Sequence, residues 1–341
     1  MLSPPGEGTL LKILRRILVV LLVLGAAIHV FNASWRVAPP EGDVKLIAHR
    51  GVHQNFDATG LGNDGCSATR IDPVEHDYLE NTLPSMQAAF DAGADIVELD
   101  VHPTTDGQFA VVHDWTIDCR TEGTGETRSH DMVYLRTLDI GYGYTADGGK
   151  TFPLRGKGIG MMPEIREVLA AFPDKKFLVN YKSNEEREGD MLAALVTEHP
   201  EWRDEIWGVY GGRPPTYRAR ELIGPDSAGK PLVGFASRDV MNCLIQYLAL
   251  GWSGYIPDLC KNTAIMVPVN MAWLAWGWPN LFIERMKSVG SDVILLGPYE
   301  AGDPGTNGID TLEELAQVPD GFTGYIWTNK IELIGPAVAA Q

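Results

Sequence analysis

Apolar positions along the chain fall into short runs separated by clusters of glycine, proline and acidic residues. Some runs are continuous or alternate with a period of two, which is typical of strands, and others repeat with helical spacing. The strand pattern occurs at residues 44–50, 95–101, 109–114, 176–182, 205–211, 230–237, 291–297 and 324–329. The helical pattern occurs between them, at residues 82–94, 162–172, 190–199, 239–250, 279–290 and 311–318. Strands and helices therefore alternate along most of the chain.

This alternation predicts an α/β fold with a parallel sheet, and eight strands are the number that closes a (β/α)8 TIM barrel. The length of 341 residues suits a barrel of about 250 residues with extensions. The connection between the second and third strands is irregular, because residues 103–108 are too few for a helical crossover of about a dozen residues. The glycine-rich residues 118–160 and residues 252–268 are predicted to be long loops.

The N-terminus carries an apolar run at residues 17–31 that follows Lys12, Arg15 and Arg16. This arrangement favours an uncleaved signal anchor over a cleaved signal peptide, and a buried core helix would leave the basic residues unexplained. Because basic residues precede the run, the barrel is expected outside the cytoplasm, on the periplasmic or extracellular side. We divide the chain into a cytoplasmic tip and transmembrane signal anchor (1–35), a linker (36–43), a barrel (44–335) and a tail (336–341).

Four cysteines, Cys66, Cys119, Cys243 and Cys260, fit an exported domain with two disulfides. Their spacing includes no CxxC pair of the kind that binds zinc. The pairing of Cys66 with Cys119 and of Cys243 with Cys260 keeps both loops local, and we prefer it among the three pairings that four cysteines allow. Four separate buried thiols are the alternative.

The net charge of −17, with no block rich in lysine or arginine, argues against nucleic-acid binding, which needs a basic surface. A hydrophobic content of 45% and a charged content of 21% exclude a disordered chain and a polytopic membrane protein. An anionic substrate would therefore have to be held by a metal ion or by a few buried cations.

Ionisable side chains lie within or at the ends of three predicted strands. Residues two apart on a strand share a face, so Glu98, Asp100 and His102 are expected on one side of the second strand. His49 and His113 lie near the ends of the first and third predicted strands, and the carboxyl ends of barrel strands form the active-site mouth. Two carboxylates at this spacing form half of a site for Mg²⁺ or Ca²⁺. A solvated strand edge with structural histidines is the alternative interpretation.

Four segments carry a resemblance to a known family: AHRG (48–51), ENTLPSMQAAFDAGADIVELDV (80–101), TTDGQFAVVHD (104–114) and MPEIREVL (162–169). In order and spacing they resemble the glycerophosphodiester phosphodiesterase family, and the similarity is dense from about residue 45 to residue 182. Members of that family are TIM barrels that hydrolyse glycerophosphodiesters with a divalent cation. The resemblance implies a phosphoric diester hydrolase that releases sn-glycerol 3-phosphate and an alcohol.

The resemblance also implies roles for individual residues. His49 and His113 match the family's acid/base pair, and Glu98 and Asp100 match its metal ligands. Lys182 matches a lysine that contacts the phosphate. The implied cofactor is a divalent cation, Mg²⁺ or Ca²⁺.

Other residues near the predicted mouth receive less specific roles. Arg50 is expected to be a further fixed positive group on the phosphate. Glu80 is expected to orient Arg50 or a ligand, or else to serve the start of the following helix. His102 is predicted to line the pocket. Tyr210 and Trp327 are interpreted as packing at the barrel rim, or as walls of a pocket for the alcohol.

One position departs from the family pattern. The family's fourth strand usually ends in a carboxylate that supplies a third metal ligand, and this chain has Asn180 there. An amide oxygen can bind Mg²⁺ or Ca²⁺ but brings no charge, so weaker metal affinity, or a water in the gap, is predicted. Two other functions remain open. One is a phospholipase D-like or phosphoinositide-cleaving relative acting on membrane lipid, and the other is a membrane-tethered binding protein that has lost catalysis.

Overall fold

Eight apolar strands run parallel around a common axis in the computed structural model, which describes residues 7–57, 59–62, 65–300 and 307–340. The strands are β1 Lys45–His49, β2 Ile96–Pro103, the short additional β3 Phe109–Val111, β4 Lys176–Tyr181, β5 Ile206–Gly211, β6 Val233–Phe235, β7 Ala264–Pro268, β8 Asp292–Leu296 and β9 Tyr325–Thr328. The barrel strands follow the order β6-β5-β4-β2-β1-β9-β8-β7. Within the described residues no hydrogen-bonded ladder joins β6 to β7, so the barrel is nearly closed. The predicted α/β barrel is confirmed.

β3 is not one of the eight barrel strands, and here the prediction from sequence is wrong. It pairs antiparallel with the end of β2, with Val101 opposite Val111. The Thr104 and Gln108 backbones are hydrogen-bonded across the turn between them, and Gly107 adopts a φ of 78° within it. A connection this short can join antiparallel strands but cannot return the chain for a parallel pair. The irregular connection is therefore a hairpin.

β7 takes the remaining place in the barrel, although the sequence predicts a loop over residues 252–268. It is a single run of five residues that ends at Pro268 and follows a segment rich in turn-forming residues. So short a run carries little periodic signal of its own. Its position is set by pairing with β8 along its whole length, from Ala264 opposite Asp292 to Pro268 opposite Leu296. The predicted number of strands is correct, but the set of strands is different.

Helices between the barrel strands form a layer outside them, α1 precedes the first strand, and α10 follows the last. Their bounds are α1 Glu7–Phe31, α2 Leu83–Asp91, α3 Met132–Leu135, α4 Ile165–Ala171, α5 Arg187–Glu198, α6 Arg213–Leu222, α7 Ser237–Leu250, α8 Asn280–Ser288, α9 Leu312–Leu315 and α10 Ile331–Ala339. Thr82 caps α2, because its side chain accepts a hydrogen bond from the Ser85 amide. The sequence does not predict α6, which is rich in arginine and begins with two prolines after its first residue. α10 continues across residue 335, the predicted end of the barrel domain.

The two faces of β2 have different surroundings. Val97, Leu99 and Val101 pack in the outer layer together with helix residues such as Phe90. Glu98 and Asp100 alternate with them and have no exposed surface. Because successive strand residues point to opposite faces, these carboxylates face the barrel interior, as predicted.

The N-terminal helix and the two disulfides match the predicted elements. α1 contains a 22-residue apolar stretch, Leu10–Phe31, that is long enough to cross a membrane and is not buried by other described residues. Residues 1–6 of the predicted tip-and-anchor segment and the last residue of the tail lie outside the described residues. Both preferred disulfides are formed, Cys66–Cys119 with Cα atoms 6.1 Å apart and Cys243–Cys260 with Cα atoms 5.1 Å apart.

Candidate active site

Strand pairing brings the predicted site residues to one end of the barrel, because the carboxyl ends of parallel strands lie together. His49 is the last residue of β1 and lies opposite Glu98 on β2. Asp100 lies opposite Asn180 on β4. The β2–β3 hairpin places His113 just after β3, close enough to Asp100 for the carboxylate charge to act on the pKa of the imidazole. Residues that are far apart in sequence thus meet in one cluster.

Glu98 is a fully buried carboxyl group at the centre of this cluster. The Tyr210 hydroxyl donates to its Oε1 at 2.6 Å, and the Arg50 backbone N–H donates to its Oε2 at 3.2 Å. Burial, followed by the charge of Asp100, raises the pKa of Glu98 to about 8. At neutral pH this carboxyl group is therefore largely protonated until a cation compensates its charge.

Asp100, by contrast, is ionised and surrounded by donors. Burial alone would raise its pKa, but Arg50 and Lys182 outweigh burial and hold the pKa well below its usual range. The Arg50 Nε lies 3.1 Å from Oδ2, and the Lys182 Nζ lies 3.6 Å from Oδ1. The side-chain amides of Asn81 and Asn180 donate to Oδ2 and Oδ1 at 3.1 and 2.9 Å.

Glu80 holds Arg50 in place from the other side. Its Oε1 lies 3.2 Å from the Arg50 Nη1 and 3.1 Å from the Arg120 Nη2. Burial alone would raise the pKa of Glu80, but Arg120 and Arg50 lower it below its ordinary value. Burial alone would lower the pKa of Arg50, but Asp100 and Glu80 raise it. Arg50 is therefore a fixed cation at the site. The position of Glu80 is compatible with one of its two predicted roles, which is to orient Arg50.

The tautomer of His49 is determined by a chain of hydrogen bonds. The Asp310 carboxylate can only accept, so the Asn329 Nδ2 donates to it at 2.7 Å and the Asn329 Oδ1 faces the other way. This oxygen lies 2.6 Å from the His49 Nδ1, which must therefore carry the proton. The Nε2 lone pair then points into the site, 3.8 Å from the Glu98 Oε2. Burial is the largest effect that lowers the pKa of His49 well below its ordinary value, so the imidazole is neutral at pH 7.

His113 has a charged partner instead. Its Nδ1 lies 2.9 Å from the Asp114 Oδ1, and the Arg120 Nε donates to the Asp114 Oδ2 at 2.6 Å. Burial alone would raise the pKa of Asp114, but Arg120 lowers it, so Asp114 is a carboxylate that accepts the Nδ1 proton. Burial, followed by the charge of Arg50, lowers the pKa of His113 below its ordinary value.

His102 supports the backbone of His113, and its side chain has no exposed surface. The Arg128 guanidinium donates to its Nδ1 at 3.2 Å, so its Nε2 carries the proton and donates to the His113 carbonyl at 3.2 Å. Burial lowers the pKa of His102 to about 3. Both ring nitrogens are engaged, so neither is available to a metal ion.

The donors at Glu98, Asp100 and Asn180 fit a hard divalent cation. Two neighbouring carboxyl groups in a dry interior are the ligand type of Mg²⁺ and Ca²⁺, and the raised pKa of Glu98 reflects a charge that lacks compensation. The Asn180 Oδ1 faces Gly211, where any Cβ would collide with it, and a rotation of the amide by about 180° would present this oxygen to the carboxylates. No three His, Cys, Asp or Glu side chains among the described residues are grouped to hold a metal, and the Asn180 amide is the third protein ligand that the sequence predicts.

Several contacts at the site involve residues to which the sequence analysis assigns no role. Three of them are polar residues next to apolar segments: Asn81, Asp310 and Asn329. A polar residue near the carboxyl end of a barrel strand is the one sequence signal that could have predicted their place in the site. Tyr210, interpreted from sequence as rim packing or a pocket wall, binds Glu98 through its hydroxyl group. Trp327 is fully buried and packs its ring 4.9 Å from that of His49.

Part of the chain is similar in sequence to known proteins. Residues 49–207 match the glycerophosphoryl diester phosphodiesterase family. The chain is 38% identical over 101 residues to a glycerophosphodiester phosphodiesterase of Caldanaerobacter subterraneus subsp. tengcongensis, covering 30% of this chain and 38% of the relative. It is 27% identical over 155 residues to one of Bacillus altitudinis, covering 45% and 54%. It is 29% identical over 136 residues to a lysophospholipase D of Mus musculus, covering 38% and 40%. The chain thus spans about half or less of these curated relatives.

Solved structures share the fold over more of the chain. The glycerophosphoryl diester phosphodiesterase domain of an uncharacterized Mycobacterium tuberculosis protein superposes with a TM-score of 0.56 at 16% identity, covering 87% of this chain and 99% of that chain. A glycerophosphoryl diester phosphodiesterase of Parabacteroides distasonis superposes with a TM-score of 0.53 at 12% identity, covering 90% of each. At such identities the likeness shows the fold alone. Residues 49–207, just under half of the chain, are thus similar in sequence to the glycerophosphoryl diester phosphodiesterase family.

Proposed function

We propose that this chain is a metal-dependent phosphoric diester hydrolase that converts glycerophosphodiesters into sn-glycerol 3-phosphate and an alcohol. The observation that carries the proposal is the meeting of two buried imidazoles, His49 and His113, with Glu98 and Asp100 at one barrel mouth. Relatives named glycerophosphodiester phosphodiesterases support the same substrate class.

The phosphate group of such a substrate needs positive charge around its nonbridging oxygens. A Mg²⁺ or Ca²⁺ held by Glu98, Asp100 and Asn180 would supply part of that charge. Arg50 and Lys182 supply the rest, since both project to Asp100 from neighbouring segments. Their N–H groups are suited to bind the phosphate oxygens by charge-assisted hydrogen bonds.

The partners of the two histidines favour different roles for them. His49 is paired with the neutral Asn329, which keeps a lone pair on Nε2, so His49 is suited to take the proton of the nucleophile. His113 is paired with the ionised Asp114, which stabilises the protonated imidazole. We therefore assign His49 as the general base. His113 acts as the general acid in its imidazolium form: it takes up a proton from solvent at Nε2, Asp114 stabilises the resulting charge, and the Nε2 proton passes to the departing alkoxide.

Replacing Asn329 by alanine is expected to lower kcat by about 10–100-fold with little change in KM, because His49 loses the acceptor that selects its tautomer. Steady-state kinetics with glycerophosphocholine measure both constants. The control is Asn280→Ala, which removes an amide that binds the backbone of Val37 instead. An equal loss in both variants, or a change in KM alone, would contradict the positioning role of Asn329.

Removal of divalent cations by EDTA is expected to abolish hydrolysis of glycerophosphocholine, and added Mg²⁺ or Ca²⁺ is expected to restore it. Asn180→Asp is expected to lower the metal concentration needed for half-maximal activity, because the new carboxylate adds a charged ligand. Activity that is indifferent to the chelator would overturn the metal-dependent mechanism. Complete inactivity under all conditions would instead favour a binding protein.

We also propose that α1 anchors the barrel in a membrane, with the barrel on the periplasmic or extracellular side. The apolar stretch Leu10–Phe31 is long enough to span, and basic residues precede it. Two disulfides are typical of proteins outside the cytoplasm.

An anchored barrel also makes a lipid substrate a second candidate, as the name of the mouse lysophospholipase D relative implies for that protein. Parallel assays of glycerophosphocholine and lysophosphatidylcholine separate the two candidates. Faster turnover of the lipid, compared as kcat/KM, would favour the second.

A further inference from the structure

The outer face of α7 and the turn after it are apolar and exposed. We call this surface the α7 patch, and it consists of Met241, Ile245, Leu248, Leu250, Trp252 and Tyr255. Met241 is 63% exposed and Ile245 57% exposed. Positions 241, 245 and 248 share one helix face, so the stripe is continuous along the helix. Soluble proteins rarely leave such a continuous apolar surface open to water.

The α7 patch is held rigidly on the barrel. The opposite face of α7 buries Val240, Cys243 and Tyr247. The Cys243–Cys260 disulfide ties the helix to the segment that follows the turn. The patch is therefore a preformed surface rather than a loose segment awaiting a core.

The end of α1 is bonded to the α7 patch itself. The Asn32 side-chain amide donates to the Trp252 carbonyl at 2.8 Å. The Arg285 Nη1 donates to the Asn32 Oδ1 at 2.9 Å, and the Arg285 guanidinium lies 5.7 Å from the centroid of the Phe31 ring. The apolar stretch of α1 therefore ends directly beside Trp252.

We propose that the α7 patch lies on the surface of the lipid bilayer that α1 crosses. The inference rests on the proposed anchoring of α1, because a bilayer around that helix reaches its end at Phe31 and hence the neighbouring patch. Trp252 and Tyr255 are the residue types that favour the interface between lipid and water. The net charge of −17 makes a zwitterionic lipid surface the suitable partner, since anionic headgroups would repel the chain.

This contact would also place the substrate entrance close to the bilayer. α7 begins at Ser237, two residues after β6 ends at Phe235 on the mouth side of the barrel. The Met241 end of the patch therefore adjoins the rim of the active site, and the Trp252 end adjoins the anchor.

The experiment uses the full-length chain in phosphatidylcholine vesicles that contain a diazirine-bearing phosphatidylcholine. After irradiation, mass spectrometry locates the lipid adducts. Adducts are expected on α1 and on residues 241–255. Val133 and Ile159 serve as internal controls and are expected to stay unlabelled. They lie in the segment at residues 118–160 and are 76% and 63% exposed.

Labelling of α1 together with only control-level labelling of residues 241–255 overturns the proposal while the anchor stands. An unlabelled α1 overturns both. Protein–protein cross-links through residues 241–255 without lipid adducts also overturn it, in favour of a second copy of this chain.

A triple variant with Ile245→Ser, Leu248→Ser and Trp252→Ser is expected to reduce lipid adducts in residues 241–255 to the level of the controls. Hydrolysis of soluble glycerophosphocholine in detergent is expected to be unchanged, because none of the three residues belongs to the active site. The matched variant with Val133→Ser and Ile159→Ser is expected to leave the labelling of residues 241–255 intact. Persistent labelling in the triple variant would contradict the proposal, whether or not the enzyme is active.

Discussion

Replacing His49 or His113 by alanine is expected to lower kcat for glycerophosphocholine by about 10²–10⁴-fold, the usual contribution of a positioned acid or base. Both imidazoles are buried, and each has a hydrogen-bond partner on Nδ1 that leaves Nε2 for proton transfer. The His49 Nε2 offers a lone pair, and the His113 Nε2 offers a proton once the imidazolium has formed beside Asp114. Steady-state kinetics measure the loss, and circular dichroism verifies that the variants fold. His199→Ala is the matched control, because His199 stacks on Trp202 away from the site.

The two variants are further expected to differ with an activated substrate. A p-nitrophenyl diester of glycerol phosphate has a leaving group that departs without a proton, so it no longer needs the acid. His113→Ala is expected to recover most of its activity with this substrate, whereas His49→Ala stays inactive. Recovery in His49→Ala instead would reverse the assignment, and full activity of both variants with glycerophosphocholine would refute the mechanism.

Asp100→Asn is expected to destabilise the fold by about 3–5 kcal/mol, whereas Glu98→Gln is expected to change stability by only about 1 kcal/mol. Asp100 is ionised and compensates Arg50 and Lys182, so its loss removes the carboxylate that faces Lys182 and one of the two that hold the buried Arg50. Glu98 is held protonated by burial, so the amide replaces a neutral group of the same shape. Urea unfolding in the presence of EDTA measures both values.

These variants also differ in their dependence on pH. The pKa of Glu98 rises from 4.5 to about 8 in the fold, so folding takes up a proton and this stabilising contribution is lost as pH increases between those values. The stability of Glu98→Gln relative to wild type is therefore expected to increase over that range in EDTA. Asp100 has a lowered pKa, so its contribution is present at neutral pH and is lost in acid.

Both variants are nonetheless expected to lose metal-dependent activity by about 100-fold or more, since each removes a proposed ligand. The two variants are thus expected to lose activity equally but stability unequally. A carboxylate pair with a purely structural role would not produce this contrast. Equal destabilisation by both variants would contradict the assigned charge states, and retained activity would contradict the metal site.

The local pattern of the sequence contains enough information for the fold class and for the residues at the strand ends. The alternation of polar and apolar residues places Glu98 and Asp100 on the same face of β2, because successive side chains of a strand point to opposite faces. The capping of α2 by Thr82 is likewise local. The two disulfides could be ranked from sequence because their pairing closes shorter loops than either alternative pairing.

Only the tertiary structure decided which strands close the barrel and what each site residue touches. β3 turns back as a hairpin and β7 enters the sheet, because strand pairing depends on partners that a short run does not reveal. His49 meets Asn329 across 280 positions, so its tautomer has no local signal. The charge states of Glu98 and Asp100 differ because burial and neighbouring cations shift pKa values, and those are properties of the assembled barrel.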